Sequence, residues 1–493
     1  MVVPRRSRPT NPAEEGPLRA ALLALLAVTV ARLAWLRVGG LDLYPDEAQY
    51  WLWSLTPDWG YFSKPPLVAW IIRATTAMLG DDEAAIRVAA PLLHFGTALV
   101  IYQIARRLYD PRIAAWSAVA YGTMPGISIS SLIISTDVPL LFCWAVALYG
   151  FVRAREKNGA RWWLLVGVAA GIGLLAKYAM AYFLISALLF LAVLKDERRH
   201  LKGFFAATAL ALAIYSPNFF WNLSHGFVSY RHTEANAGFQ GIAFHAGALG
   251  EFVGSQFGVF GPVYFATLLV ILVLLRRVLA DRRAQLLAVF ALPTLAMMIV
   301  VSALSRAHPN WSAPTYVSST ILVTAFLLER GRQKLVTGSV IFNVVAAVLL
   351  IGARDIAAEV GWTIPGKYEP MHRLRGWAAL GRSVQTFMTE HPGEKLLSDN
   401  REVLAALIYY VRPHPFDAVK WNTGHGVHDQ FDLTADAKDH RGESFIYVGP
   451  RQSLGELPDY FAEVGAIGHV SIALGGGTLR QFLVVELKDF KGY

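Results

Sequence analysis

The chain has 493 residues, 55% of them hydrophobic and 16% charged, with a formal charge of +9 and a mean hydropathy of +0.40. Soluble domains carry about 25% charged residues, so this composition excludes an ordinary soluble protein and points to one that crosses a membrane repeatedly. The positive charge does not imply a nucleic-acid partner, because Lys and Arg fall in short clusters between apolar runs and form no basic face.

About 20 apolar residues cross a bilayer. Spans are expected near 18–38, 85–105, 112–129, 137–153, 161–177, 179–194, 203–220, 250–275, 284–304, 311–328 and 335–352. The first is read as an uncleaved span, since its apolar run is long and ends in RVGG without a signal-peptidase site. RRSR, ARRLYDPR, RAREKNGAR, KDERRHLK, RRVLADRR and ERGRQK alternate with loops that carry few basic residues. Placing every basic cluster in the cytoplasm requires a turn at Lys177 and eleven spans, with the N-terminus inside and the C-terminus outside. Cys143, the only cysteine, lies within an apolar run, so neither a disulfide framework nor a cysteine metal site is expected.

Residues 1–352 thus read as a transmembrane domain and 353–493 as a small α/β domain outside the membrane. HPGEKLLSDNREVLAALIYYV reads as a strand leading into a helix, ESFIYVGP as a strand, and HVSIALGGGTLRQFLVVEL as two strands. GGGT at 475–478 is a hairpin turn rather than a phosphate loop, because no helix follows it.

On this topology the outer face collects the unusual residues. The first outer loop, 39–84, holds Asp46, Glu47, Tyr50, Tyr61 and Lys64 in YPDEAQY and YFSKPPL. Asp137, in STDVPLLF, stands at the mouth of the fourth span, and Lys177 lies at the next outer turn. Loop 221–249 carries His225, Tyr230, Arg231, His232 and Glu234, and SRAHPNWSAPTY brings Arg306, His308 and Asn310. Each has a structural reading. Asp137 and Asp46 suit helix N-termini, the aromatics suit an interfacial belt, the arginines suit lipid headgroups, and the histidines have no metal-ligand spacing. Together they suit a site at the membrane surface. There a carboxylate takes a proton from an acceptor hydroxyl while a cation stabilises a phosphate leaving group.

The set YPDEAQY, YFSKPPL and STDVPLLF, on an eleven-span frame with an outer C-terminal domain, resembles the GT-C glycosyltransferases. Within them it is most similar to bacterial family-39-like enzymes, relatives of protein O-mannosyltransferases, lipid A aminoarabinose transferase and lipopolysaccharide galacturonosyl transferases. The resemblance implies a polytopic α-helical enzyme in the bacterial inner membrane that moves a sugar, with inversion, from a polyprenyl-phosphate donor. The acceptor is lipid A, lipopolysaccharide, another glycan or a protein at the periplasmic face. Carried over, Asp46 is the general base, Glu47 supports it or orients the acceptor, and Lys64 contacts the phosphate. Asp137 is the second acid, holding the acceptor or completing a divalent-cation site with Asp46. From charge and topology rather than from the resemblance, Arg231 and Arg306 are expected as further phosphate or sugar contacts, and Tyr50, Tyr61, His232 and His308 as substrate contacts. Ser63 stands where the aminoarabinose transferase has an acid, which disfavours a cationic donor sugar. The alternatives are a lipid or glycan transporter, which places ionisable groups at mid-membrane, and a structural or receptor protein.

Overall fold

The computed structural model describes residues 12–157, 159–238, 243–424, 426–451 and 453–493. The basic cluster at 5–8 therefore lies outside the described residues, as do positions 239–242 of the loop carrying His232. Among the described residues six helices are long and apolar enough to cross a membrane: Gly16–Val38, Glu83–Leu108, Asp137–Lys157, Lys195–Ser224, Arg282–Leu304 and Gln333–Glu359. Shorter apolar helices run over Leu67–Leu79, Ala160–Ala176, Tyr178–Val193, Pro262–Val273 and Thr315–Glu329.

Among the interrupted spans, two break at a residue directly before a proline. The stretch 112–129 is split into Pro111–Thr123 and Pro125–Ser130, with Met124 extended between them. The stretch 250–275 breaks at Gly261, whose φ of 88° is open chiefly to glycine. Pro125 and Pro262 each open the following helix, where the missing N–H costs nothing. The turn expected at 177 is present: Lys177 is extended and ends Ala160–Ala176.

The chain packs as two compact units. The first comprises Met1–Arg37, Arg87–Ser224 and Thr233–Ala347; the second comprises Val38–Ile86, His225–His232 and Val348–Tyr493. The second unit thus takes in the first loop as well as the C-terminal segment, a division different from a cut at 352.

In the first unit Asp137–Lys157 is the most enclosed span, with 83% of its apolar window buried, against 17% for Gly16–Val38 and for Gln333–Glu359. Small residues set a close crossing. A Cβ on Gly171 would stand 2.7 Å from Ile214 Cβ, and one on Gly167 would stand 2.7 Å from the Ala207 carbonyl. Glycine at this four-residue spacing lets two helix backbones approach in lipid, where packing replaces the hydrophobic effect.

The second unit is built on a five-stranded sheet of order β2-β1-β3-β5-β4, formed by β1 (Lys395–Ser398), β2 (Val419–Lys420), β3 (Phe445–Gly449), β4 (Phe461–Gly475) and β5 (Thr478–Phe490). β1 pairs in parallel with β2 and β3, while β5 runs antiparallel to β3 and β4. Central β3 is buried along its whole length, as its unbroken apolar run requires. Gly476 and Gly477, at φ 53° and 77°, make the β4–β5 turn, as expected of GGGT.

Three helices of this unit position the candidate site: α1 (Pro45–Leu55), α2 (Trp377–Glu390) and α3 (Arg401–Tyr410). The first loop is stitched to the C-terminal segment by directed bonds. Asp42 Oδ2 accepts from the Trp377 N–H that opens α2, at 2.8 Å. The Leu43 N–H donates to Tyr410 Oη at 2.7 Å, and Tyr409 Oη donates to the Asp81 carbonyl at 2.8 Å. Trp51 of α1 meets Tyr409 edge-on at 4.9 Å.

Candidate active site

α1 opens with Pro45 at its first position, where a fixed φ suits the helix, and carries Asp46 and Glu47 in its first turn. The acids face different tasks. Glu47 is 1% exposed, and its Oε2 accepts from the Tyr44 N–H at 2.9 Å. It serves one half of a capping box. Asp46 points to the C-terminal segment, where Arg401 Nη1 donates to its Oδ1 at 2.8 Å and to Gln49 Oε1 at 2.9 Å. Residues 46 and 49 share a helix face at i, i+3, so one guanidinium nitrogen reaches both. Burial lowers the Arg401 pKa, but the charge and hydrogen bond of Asp46 outweigh it and the net shift is upward. Each side chain of the pair is 36% exposed, which places it among ion pairs worth about 0–1 kcal/mol.

His232 lies within electrostatic reach of this pair and of Lys64. Burial, then Lys64 and Arg401, push His232 down to about 4, with Asp46 opposing, so the imidazole is neutral at pH 7. His232 packs edge-on to Phe62 at 5.0 Å. Tyr61, one of the expected substrate contacts, is turned into its own loop. It is 3% exposed and stacks on Trp53 at 4.5 Å. Its hydroxyl donates to the Trp53 carbonyl at 3.0 Å and accepts from the Asp58 N–H at 3.1 Å. Its ring and hydroxyl fold the loop that presents Lys64. Tyr50 is 5% exposed, tilted against Trp53 at 5.2 Å. Arg231 is exposed.

The first unit carries its own polar cluster. Asp137 begins the enclosed helix Asp137–Lys157, and its two oxygens meet other elements: Lys177 Nζ at 2.7 Å from Oδ1, and Asn310 Nδ2 at 2.7 Å from Oδ2. This is more than the helix capping that the sequence offers as its alternative. The ammonium comes from the extended residue at the turn that ends Ala160–Ala176. Arg306 and His308 are exposed in the same segment as Asn310, His308 lying edge-on to Trp311 at 5.3 Å.

Asp137 is charge-paired with an ammonium and Asp46 with a guanidinium, so a divalent cation would compete with a cationic side chain at either acid. Among the described residues, the His/carboxylate group with ligand atoms within 4.8 Å of one another is His391, Glu394 and Glu486. There His391 Nδ1 and Lys488 Nζ already hold Glu486 Oε1, at 3.1 and 3.3 Å.

Sequence reasoning missed Arg401 and Gln49. One signal was available: SDNREV places Arg directly after a helix-capping Asn, at the first helical position, where the helix dipole repels a cation.

The comparisons with known proteins follow this geometry. The family described as dolichyl-phosphate-mannose-protein mannosyltransferase matches residues 63–221. The lipid A galacturonosyltransferase RgtD of Rhizobium johnstonii is 32% identical over 80% of this chain and 83% of its own length. The chain belongs to the GT-C glycosyltransferases. This GT-C enzyme is also 31% identical, over 38% of each chain, to the undecaprenyl phosphate-alpha-4-amino-4-deoxy-L-arabinose arabinosyl transferase of Pseudomonas aeruginosa. Its fold matches that of ArnT from Cupriavidus metallidurans, crystallised with undecaprenyl phosphate, with a TM-score of 0.64 at 16% identity over 95% of this chain and 97% of that one. The GT-C enzyme is a multi-pass membrane glycosyltransferase, and these relatives set aside the transporter reading.

Proposed function

We propose that this enzyme transfers a hexuronosyl group from a polyprenyl-phosphate donor to a lipid A or lipopolysaccharide acceptor at the periplasmic face of the inner membrane, with its N-terminus cytoplasmic and its C-terminus periplasmic. The sugar class and acceptor are read from the likeness to the lipid A galacturonosyltransferase over four-fifths of the chain. The observation that carries the chemistry is the arrangement around Asp46, a first-turn carboxylate held by Arg401, with neutral His232 within electrostatic reach of it and of Lys64.

Asp46 accepts the acceptor hydroxyl proton as that oxygen bonds to the anomeric carbon from the face opposite the phosphate. The carbon–oxygen bond to phosphate breaks, its electron pair leaves with the phosphate, and the configuration inverts. Lys64 stabilises the charge that grows there, as a fixed cation does in a site of reduced dielectric.

Mass spectrometry of envelope glycolipids from cells with and without the protein tests this reading. A species heavier by one hexuronosyl unit, present only with the protein, is the expected result. Identical lipid profiles, or a different sugar, would overturn it.

A further inference from the structure

We propose that Arg401 is the donor-specificity residue: its open edge binds the carboxylate of the hexuronosyl donor, and in doing so it loosens its hold on Asp46. This rests on the donor class read above.

Helix stability does not explain where Arg401 stands. Asn400 Oδ1 already caps α3 by accepting from the Glu402 and Val403 N–H groups, at 2.8 and 3.1 Å, and Glu402 supplies the acid that a first turn favours. A cation between them opposes the helix dipole. Its compensation lies outside the helix, in the bonds to Asp46 and Gln49, and a residue that breaks a local rule for a partner elsewhere is a candidate functional position.

The bonding of the guanidinium is also one-sided. Among the described residues its side-chain bonds all run through Nη1, to Asp46 and Gln49. A guanidinium carries five N–H donors in a planar fork, so the edge away from α1 remains available to a bidentate carboxylate. About a third of the side chain is exposed, and a ligand can reach it. Lys64 and Arg401 both act on His232, so two cations serve one neighbourhood. A hexuronosyl phosphate brings two anionic groups, with the phosphate for Lys64 and the carboxylate for Arg401. Sharing the guanidinium with a second carboxylate weakens its bond to Asp46, so arrival of the acidic donor readies the base. A neutral sugar does neither.

The experiment uses the full chain in detergent with two donors, undecaprenyl phosphate galacturonate and undecaprenyl phosphate galactose, which differ at the carboxylate. The readout is the ratio of kcat/KM for the acidic donor to that for the neutral one, in wild type, Arg401→Gln and Arg401→Lys. Loss of a charge-assisted hydrogen bond predicts that Arg401→Gln lowers this ratio on the order of 10- to 100-fold, with partial recovery in Arg401→Lys. A thermal midpoint for each variant identifies unfolding, which cannot change a ratio between donors. An unchanged ratio in Arg401→Gln, whether both activities fall together or neither falls, overturns the proposal and leaves the donor reading standing. A wild type that uses only the neutral donor overturns the donor reading, and the role of Arg401 with it.

Discussion

Replacing Asp46 with Asn separates the chemistry of the site from its architecture. The substitution is nearly isosteric, and the new amide oxygen still accepts from Arg401 Nη1, now 2.8 Å from the carboxylate. What is lost is one charge in a pair whose members are each about a third exposed, worth about 0–1 kcal/mol. For a domain of roughly 200 residues, 1 kcal/mol moves the melting midpoint by about 2–4 °C. A positioned base contributes about 10²- to 10⁴-fold to rate, which is about 3–5 kcal/mol of barrier. Purified Asp46→Asn is therefore expected to lose two to four orders of magnitude in kcat while melting within a few degrees of wild type. The assay is turnover of a polyprenyl-phosphate hexuronosyl donor beside a thermal scan in the same detergent. Wild-type turnover would refute the assignment of the base, and a melting loss that accounts for the lost activity would refute the separation of roles.

Lys64→Ala is expected to raise the donor KM by about 10-fold or more, the worth of a charge-assisted contact, with little change for the acceptor; equal effects on both would count against the phosphate role. Glu394 is pushed up to about 7 by burial and by the adjacent Glu486, while an unfolded glutamate titrates near about 4.3. The folded state therefore binds the extra proton between these values, and this group's contribution to stability falls as pH rises through that window. Wild type is expected to lose melting temperature between pH 5 and pH 8 relative to Glu394→Gln, and parallel curves would refute the shared proton. Because the carboxylates at 46 and 137 are charge-paired with Arg401 and Lys177, chelation by EDTA is expected to leave turnover within about twofold. Loss restored by a divalent ion would place a cation at these acids.

The features that sequence made legible are local ones. The turn at Lys177 and the triple-glycine turn act within a few residues, and each is present where expected, whereas the breaks before Pro125 and Pro262 interrupt stretches read as continuous spans. Asp46 and Lys64 were readable as a candidate acid and cation because the first loop is short and chemically unusual. The resemblance separated Asp46 from Glu47, but that Glu47 turns back to cap its own helix was not readable, since this depends on the backbone at Tyr44. Tyr61 reads as an interfacial aromatic until the folded loop gives its hydroxyl three backbone partners, at Trp53, Thr56 and Asp58. The bond from Arg401 to Asp46 joins positions 355 residues apart, with no periodicity to announce it. Asp137, Lys177 and Asn310 were each noticed, but their convergence depends on helix packing that composition does not encode.

The long reach of that bond also sets an order of events at birth. A ribosome adding roughly 5–20 residues per second takes about 20 to 70 s between making Asp46 and making Arg401. Throughout that interval the loop carrying the acid has no sheet to fold against, while the spans that follow it are already entering the bilayer. The nascent enzyme therefore holds its acid without its arginine partner until residue 401 of 493 has been made. Its choice of sugar is then among the last properties it acquires.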